Sequence, residues 1–266
     1  MLPELQLDHY SQGVPAIALF VLAVIVCQIV VKRVLGHEAI RRCHEVGGYY
    51  LAIVGSFYAV LLGLVVFDAL GKFEAAEKGV ETEGKSLLAV SVMLKQFPQQ
   101  EKKLETLLID YLDEVVNVEW DLMEKNQISK KARQDMMGLI SEGMKIEPQT
   151  ENQKALFPIL AGELISAWEA RRDRTRVTNQ GVPSAEWAIL LLGSVITITF
   201  TFFFTIESSA IYLLMSGMVA LLISMSLYLV LMFGAPFSGD MRVSNSGLAL
   251  IRDRIAEMHQ ADGGPG

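Results

Sequence analysis

Apolar residues are concentrated in two blocks at the two ends of the chain, and the middle is polar and charged. The first block holds two long runs, about Ala16–Leu35 and about Tyr49–Leu70. Lys32 and Arg33 mark the end of the first run, and the second has no charge until Asp68. Each run can cross a hydrocarbon layer about 30 Å thick. The first block therefore predicts two transmembrane helices.

The second block extends from about Trp187 to Phe233, which is too long for one crossing at about 1.5 Å per helical residue. Glu207 is the one charged residue inside it, and two serines follow. A turn there predicts two more spans, about Trp187–Thr205 and about Ala210–Phe233.

The polar link between the first two spans ends in Gly47 and Gly48, which we expect to let the chain reverse. The middle segment has helical spacing of apolar residues, as from Leu104 to Val116, and no alternating strand pattern. Ser129 is a predicted N-cap, and a helix from about Phe73 is predicted to continue from the second span.

We therefore predict an all-α integral membrane protein with four transmembrane helices in two hairpins and a helical extramembrane domain between spans 2 and 3. The predicted parts are an N-terminal hairpin (1–70), the helical domain (71–184), a C-terminal hairpin (185–235) and a C-terminal tail (236–266).

The distribution of basic residues favours a cytoplasmic domain and cytoplasmic termini in a multi-pass cell-membrane protein, because cytoplasmic loops are enriched in Lys and Arg. The domain side carries Lys72, Lys78, Lys85, Arg171, Arg172, Arg174, Arg176, Arg242, Arg252 and Arg254. The opposite side carries Lys32, Arg33, Arg41 and Arg42, which are dense and adjoin the first helix. That density argues for the inverted orientation, so the alternative stays open.

Small residues recur every three or four positions along the second span and define one helical face. This stripe comprises Gly48, Ala52, Gly55, Ala59 and Gly63, with Phe67 following it. The pattern favours close helix packing, or a narrow pore lining formed by several copies around an axis. Shorter stripes, from Gly193 to Thr205 and from Gly217 to Ser224, predict that the third span packs on the fourth.

A basic cluster about ten residues before the third span is the other candidate site. Arg171, Arg172, Arg174 and Arg176 could contact lipid headgroups or concentrate anions, or could simply anchor the chain by the positive-inside rule.

The sequence predicts neither a cofactor nor a metal site, since Cys27 and Cys43 have no ligand-like spacing. The net charge of −7 argues against a nucleic-acid surface. No phosphate loop or nucleophile motif is present, so we predict that the protein is not an enzyme.

Several segments of the chain resemble a known family. The second span, through Gly55-Ser56-Phe57-Tyr58 and Leu62–Phe67, resembles the second membrane helix of bestrophins. The motifs similar to the bacterial bestrophin-like family also include Glu119-Trp120, Arg171-Arg172-x-Arg174 and Pro236-Phe237-Ser238-Gly239. Bestrophins are pentameric anion channels whose second helices line the pore. The resemblance thus implies a pentameric homo-oligomer in the lipid bilayer, with a conduction path along Gly55–Phe67 and small anions as the permeant species.

Three functions remain as hypotheses at this point. The leading one is an oligomeric anion channel with span 2 lining the pore. The alternative is a non-conducting membrane scaffold or sensor whose helical domain binds a partner. A stator-like proton channel subunit has the same order of spans, but it would need a partner helix that supplies a carboxylate.

Overall fold

The structure is a computed structural model that describes residues 7–35, 37–178, 181–204 and 208–262, with the backbone alone at 35, 37–46, 209 and 259–262. Within these ranges the only regular secondary structure is helical, which confirms the all-α prediction. The helices are α1 (Tyr10–Leu35), α2 (His37–Leu94), α3 (Glu101–Glu114), α4 (Trp120–Glu124), α5 (Lys130–Gly143), α6 (Glu151–Thr178), α7 (Ser184–Thr201), α8 (Ser209–Gly234) and α9 (Ser246–Asp262). A π-helical turn, Val115–Glu119, joins α3 to α4.

In the described part of the chain, four helices are long and apolar enough to cross a membrane: α1, the first part of α2, α7 and α8. They correspond to the four predicted spans. The turn predicted at Glu207 lies outside the described residues.

The reversal predicted at Gly47 and Gly48 is wrong, because both glycines lie inside α2, which begins at His37. The polar link is rich in helix-compatible residues, and a helix tolerates a glycine at about 1 kcal/mol relative to alanine.

The predicted continuation of the second span is confirmed, since α2 is unbroken from His37 to Leu94. Two of its glycines lie where a side chain would meet a neighbouring helix. A Cβ on Gly79 would be 3.6 Å from the Ala170 carbonyl of α6, and one on Gly84 would be 2.6 Å from Ile251 Cδ1 of α9. These glycines allow close helix approach.

The chain divides into two compact units. The membrane unit comprises Met1–Lys72, Val182–Ala235 and Gly239–Met241, and the domain unit comprises Phe73–Gly181, Pro236–Ser238 and the residues from Arg242 onward.

In the membrane unit, α1 packs along α8, and Ile25 of α1 lies 3.6 Å from the position of a Cβ on Gly217. Gly193 of α7 lies under the Tyr58 ring of α2, where a Cβ would be 2.5 Å from a ring carbon. The predicted packing of α7 on α8 is present, but Gly193 and Gly217 do not contribute to it, because each lies against a different helix. Small residues allow close approach to any bulky neighbour, so the stripes alone could not identify the partner helix.

In the domain unit, one apolar core joins α2, α3, α5, α6 and α9. The predicted cap is confirmed, because the Ser129 hydroxyl accepts from the Ala132 N–H at the start of α5. The segment after α8 contributes to this core. Phe237 packs edge-on against Trp120 at 5.6 Å between ring centroids, and the Trp120 indole donates to the Val243 carbonyl at 3.0 Å.

Candidate functional site

The membrane half of α2 has a buried face. Tyr58, Leu62, Val65 and Ala69 follow a four-three-four spacing, so they align on one side of the helix. Tyr58, Leu62 and Val65 belong to the apolar cluster that includes Leu190 of α7. This side fixes α2 against the other spans.

The stripe of small residues lies on a neighbouring face and is mostly uncovered within one copy of the chain. Ala52, Ala59 and Gly63 are exposed, and Gly48 and Gly55 are half-buried. A Cβ on Gly55 or Gly63 would meet no atom within 4 Å. Packing inside one chain therefore does not explain the stripe at these positions.

Large apolar side chains cover the side of α2 opposite the buried face. They include Phe57, which is 75% exposed, and Phe67, which is 76% exposed. Tyr49, Ile53, Val60 and Leu64 are also exposed. These surfaces face lipid or a further copy of the chain, because water does not suit so many apolar groups.

No charged residue lies between Tyr49 and Phe67. The first one, Asp68, pairs with Lys72 at 2.7 Å one helical turn further on. Such an exposed pair contributes little to stability.

The four arginines of the basic cluster separate into two groups. Arg172 and Arg176 are exposed on α6. Arg171 and Arg174 are buried and contact protein carboxylates, so their side chains do not reach lipid or a soluble anion. The prediction of lipid or anion contact thus applies only to Arg172 and Arg176.

Arg174 is the centre of the buried network. Its Nε donates to Glu83 Oε2 at 2.7 Å, and its Nη2 donates to Glu83 Oε1 at 3.0 Å and to Glu119 Oε2 at 3.1 Å. Arg171 Nη2 donates to the other oxygen of Glu119 at 2.5 Å, and the Tyr111 hydroxyl donates to Glu83. Two cations thus neutralise two carboxylates inside the domain core.

The buried network changes the acidity of its members. Burial alone would lower the pKa of Arg174, but Glu83 and Glu119 attract its positive charge and leave the pKa above its usual value. Burial, followed by repulsion from the Glu83 carboxylate, raises the pKa of Tyr111 well above its usual value. Arg174 therefore remains charged and Tyr111 remains neutral across the physiological range.

No site was assigned from the sequence to Glu83, Glu119 and Tyr111, although their positions carried a signal. Glu83 continues the inward spacing of α2 that is set by Val80, Leu87 and Val90. The arginines likewise continue an inward series on α6, at Leu160, Leu164, Ala167, Arg171 and Arg174. A charged residue at an inward helical position predicts a buried partner of opposite charge.

The segment after α8 holds the start of α1. The Asp240 carboxylate accepts from the Tyr10 N–H at 2.6 Å, and its other oxygen lies 2.8 Å from His9 Nδ1. The hydrogen bond with His9, and then that with Tyr10, keeps the pKa of Asp240 below its usual value. Gly239 has φ +72°, and a Cβ there would lie 2.4 Å from the Asp8 carbonyl, so this turn requires glycine.

Among the residues that the structure describes, no group of three or more His, Cys, Asp or Glu side chains could hold a metal ion. Cys27 is a free thiol on the exposed surface of α1.

Comparisons with known proteins agree with this architecture. A bestrophin homolog from Klebsiella pneumoniae, in one variant, matches with a TM-score of 0.73 at 12% identity, over 93% of this chain and 98% of that chain. A second variant gives a TM-score of 0.72 at 12% identity, over 92% and 99% of the two chains. These likenesses concern the fold alone, and curated protein sequences give no match.

The family model of the bestrophin-like domain matches residues 18–248, which include most of the first span, the other three spans and most of the domain unit. This multi-pass membrane protein therefore belongs to the bestrophin-like family.

Proposed function

We propose that the protein is a homo-oligomeric channel for small anions whose pore is lined by the membrane half of α2. The observation that carries the proposal is the uncovered stripe on that helix. Gly55 and Gly63 have no neighbour within 4 Å of a Cβ position, whereas the neighbouring face at Tyr58 is packed on α7. A stripe of small residues with nothing to pack against in its own chain suits an axis where several copies meet.

Assembly would also cover exposed apolar groups such as Phe67, which lies one helical turn beyond Gly63 on the same side. Exposed apolar patches of this kind usually mark an interface or a membrane contact. The resemblance to bestrophins, which are pentamers, supports five copies around the axis.

Selectivity for anions is supported by the charge pattern of α2. Cation channels commonly use rings of Asp or Glu, and no carboxylate lies between Tyr49 and Phe67. Such a path needs no catalytic group, and we assign no enzymatic reaction to the protein.

The test is ion flux and particle symmetry measured on one purified sample. We expect liposomes containing the protein to release chloride faster than potassium, and particles to have fivefold symmetry. Potassium release without chloride release would overturn the anion assignment. Assembled particles without any flux would favour a non-conducting scaffold.

The lining of the pore can be tested by overfilling the stripe. Gly55→Leu and Gly63→Leu should break the oligomer or abolish flux, because a pore or close contact has no space for leucine. Val60→Leu is the matched control, since Val60 is 65% exposed away from the stripe. Val54 and Val65 also lie off the stripe but are unsuitable controls. Val54 is half-buried and Val65 is buried against the other spans, so a leucine there could disturb packing within the chain.

Size-exclusion profiles and chloride flux would separate the outcomes of these substitutions. Loss of flux from intact oligomers would favour the pore over simple packing. Equal behaviour of the stripe variants and Val60→Leu would mean that the stripe faces lipid, which would contradict the proposal.

We further propose that the domain and both termini face the cytoplasm. In a variant without native cysteines, a thiol at Glu77→Cys or Ser141→Cys should react with an impermeant reagent only after cell lysis. Both positions are exposed, whereas Val80 is buried and would not report. Labelling of Ser141→Cys in intact cells would invert the topology.

A further inference from the structure

A cavity of about 450 Å³ lies between three spans of the membrane unit. One wall is a face of α8 with Tyr212, Met215, Ser216 and Val219 at helical spacing. The other walls are formed by Leu51 of α2, by Thr201 at the end of α7 and by Phe204 just after it. The volume is within the range of small-molecule sites.

The hydroxyls in this cavity already have partners. The Tyr212 hydroxyl donates to the Phe202 carbonyl at 2.8 Å, and Thr201 Oγ1 donates to the Ile198 carbonyl at 2.6 Å. Ser216 Oγ accepts from Gln28 Nε2 at 2.7 Å. The remaining lining is apolar, so the cavity suits a hydrocarbon chain rather than a polar ligand.

Positive charge lies against Tyr212, the first lining residue on α8. Gln28 and Lys32, one turn apart on α1, contact Ser216 and Tyr212, which are one turn apart on α8. Lys32 Nζ is 5.2 Å from the centroid of the Tyr212 ring, and Arg33 beside it is exposed. These two cations mark the membrane edge of α1, where phosphate groups of lipids lie.

We propose that the cavity binds an acyl chain of an acidic phospholipid whose phosphate contacts Lys32 and Arg33. The lining residues from Tyr212 to Val219 cover seven steps of α8, about 10 Å along the helix. The cavity therefore reaches about a third of the way into a hydrocarbon core of about 30 Å. A chain entering from the edge would fill this depth with its headgroup beside the cations. An apolar side chain of a second copy would make no use of these charges.

The test is native mass spectrometry of the purified protein with phosphatidylglycerol or phosphatidylcholine of identical acyl chains. We expect wild-type protein to prefer phosphatidylglycerol, since one cation near the headgroups contributes a factor of about five. Lys32→Gln should reduce that preference about fivefold, because the preference for phosphatidylglycerol arises from its net negative charge. Val219→Phe should lower binding of both lipids about tenfold by filling the cavity.

Leu222→Phe is the control, because Leu222 is 66% exposed on the same helix outside the cavity. It should bind both lipids as the wild type does. If Val219→Phe unfolds, Met215→Trp can replace it, since Met215 is 54% exposed and narrows the cavity from its rim.

Unchanged lipid binding in a folded cavity-filling variant would overturn the proposal. It would likewise fail if Lys32→Gln kept the full preference for phosphatidylglycerol. If a filling variant dissociated the oligomer and kept its lipids, the cavity would hold a second copy instead of a chain of lipid.

Discussion

The two halves of α2 use similar sequence features for different purposes. In the domain half, Gly79 and Gly84 lie against α6 and α9, and Glu83 between them is buried with an arginine. In the membrane half, Gly55 and Gly63 have no atom within 4 Å of a Cβ position. Small residues at helical spacing therefore indicate a close contact with another helix. Only the structure shows whether that helix belongs to the same chain.

The largest effect should come from breaking the packed half. Arg174→Met leaves Glu83 and Glu119 with less compensating charge inside the core. Removing one partner of a buried pair typically costs about 3–5 kcal/mol, and we expect destabilisation of that order in thermal unfolding of the detergent-solubilised protein.

Arg176→Met is the control for this substitution, because Arg176 lies on the same helix but is exposed. It should change the free energy of unfolding by about 0.5 kcal/mol or less. If both variants unfolded at the same temperature, the buried network would not stabilise the domain.

A pair of identical substitutions at glycine should give opposite effects. A Cβ at Gly193 would lie 2.5 and 2.7 Å from carbons of the Tyr58 ring, so Gly193→Ala must displace a buried ring and should cost about 1–3 kcal/mol. At Gly63 the same methyl group meets nothing within the chain, and alanine favours the helix by up to about 1 kcal/mol.

Unfolding of the two alanine variants, measured in a detergent that keeps single copies, would show the difference. Destabilisation of the single copy by Gly63→Ala would mean that the stripe contacts its own chain. In the oligomer, Gly63→Ala could act only through contacts between copies.

Much of the fold could be predicted from local patterns. The positions of the spans follow from the length of the uncharged apolar runs. The Ser129 cap follows from the ability of a serine hydroxyl to accept a hydrogen bond at a helix start. The prediction of a reversal at Gly47 and Gly48 failed, because glycine permits a turn but does not require one. The burial of Arg171 and Arg174 was not predicted, because the four arginines were treated as one basic cluster. They lie on different sides of α6, and only Arg171 and Arg174 are on the buried side.

The stripe of small residues on α2 could be predicted as a contact surface, but its exposure within one chain could not. The stripe from Gly48 to Gly63 is visible in the sequence, but the lack of neighbours at Gly55 and Gly63 depends on how the other helices pack. The partner of Gly193 was unpredictable for a related reason, because Tyr58 lies 135 positions earlier in the chain.

The smallest expected effect concerns Asp240, which holds the start of α1 through Tyr10 and His9. Because the pKa of Asp240 is lowered in the folded protein, its contribution to stability is present above the unfolded pKa of about 3.9. That contribution is lost as pH falls through the lower folded value.

Asp240→Asn should therefore speed hydrogen exchange of residues 10–13 at neutral pH and leave exchange in α5 unchanged. Lowering the pH of wild-type protein below about 4 should increase the exchange of the same residues, after correction for the intrinsic rate. Unaltered protection of residues 10–13 in Asp240→Asn would show that the helix start is held by packing alone, for which the Tyr228 ring over Gly13 is the nearest structural reason.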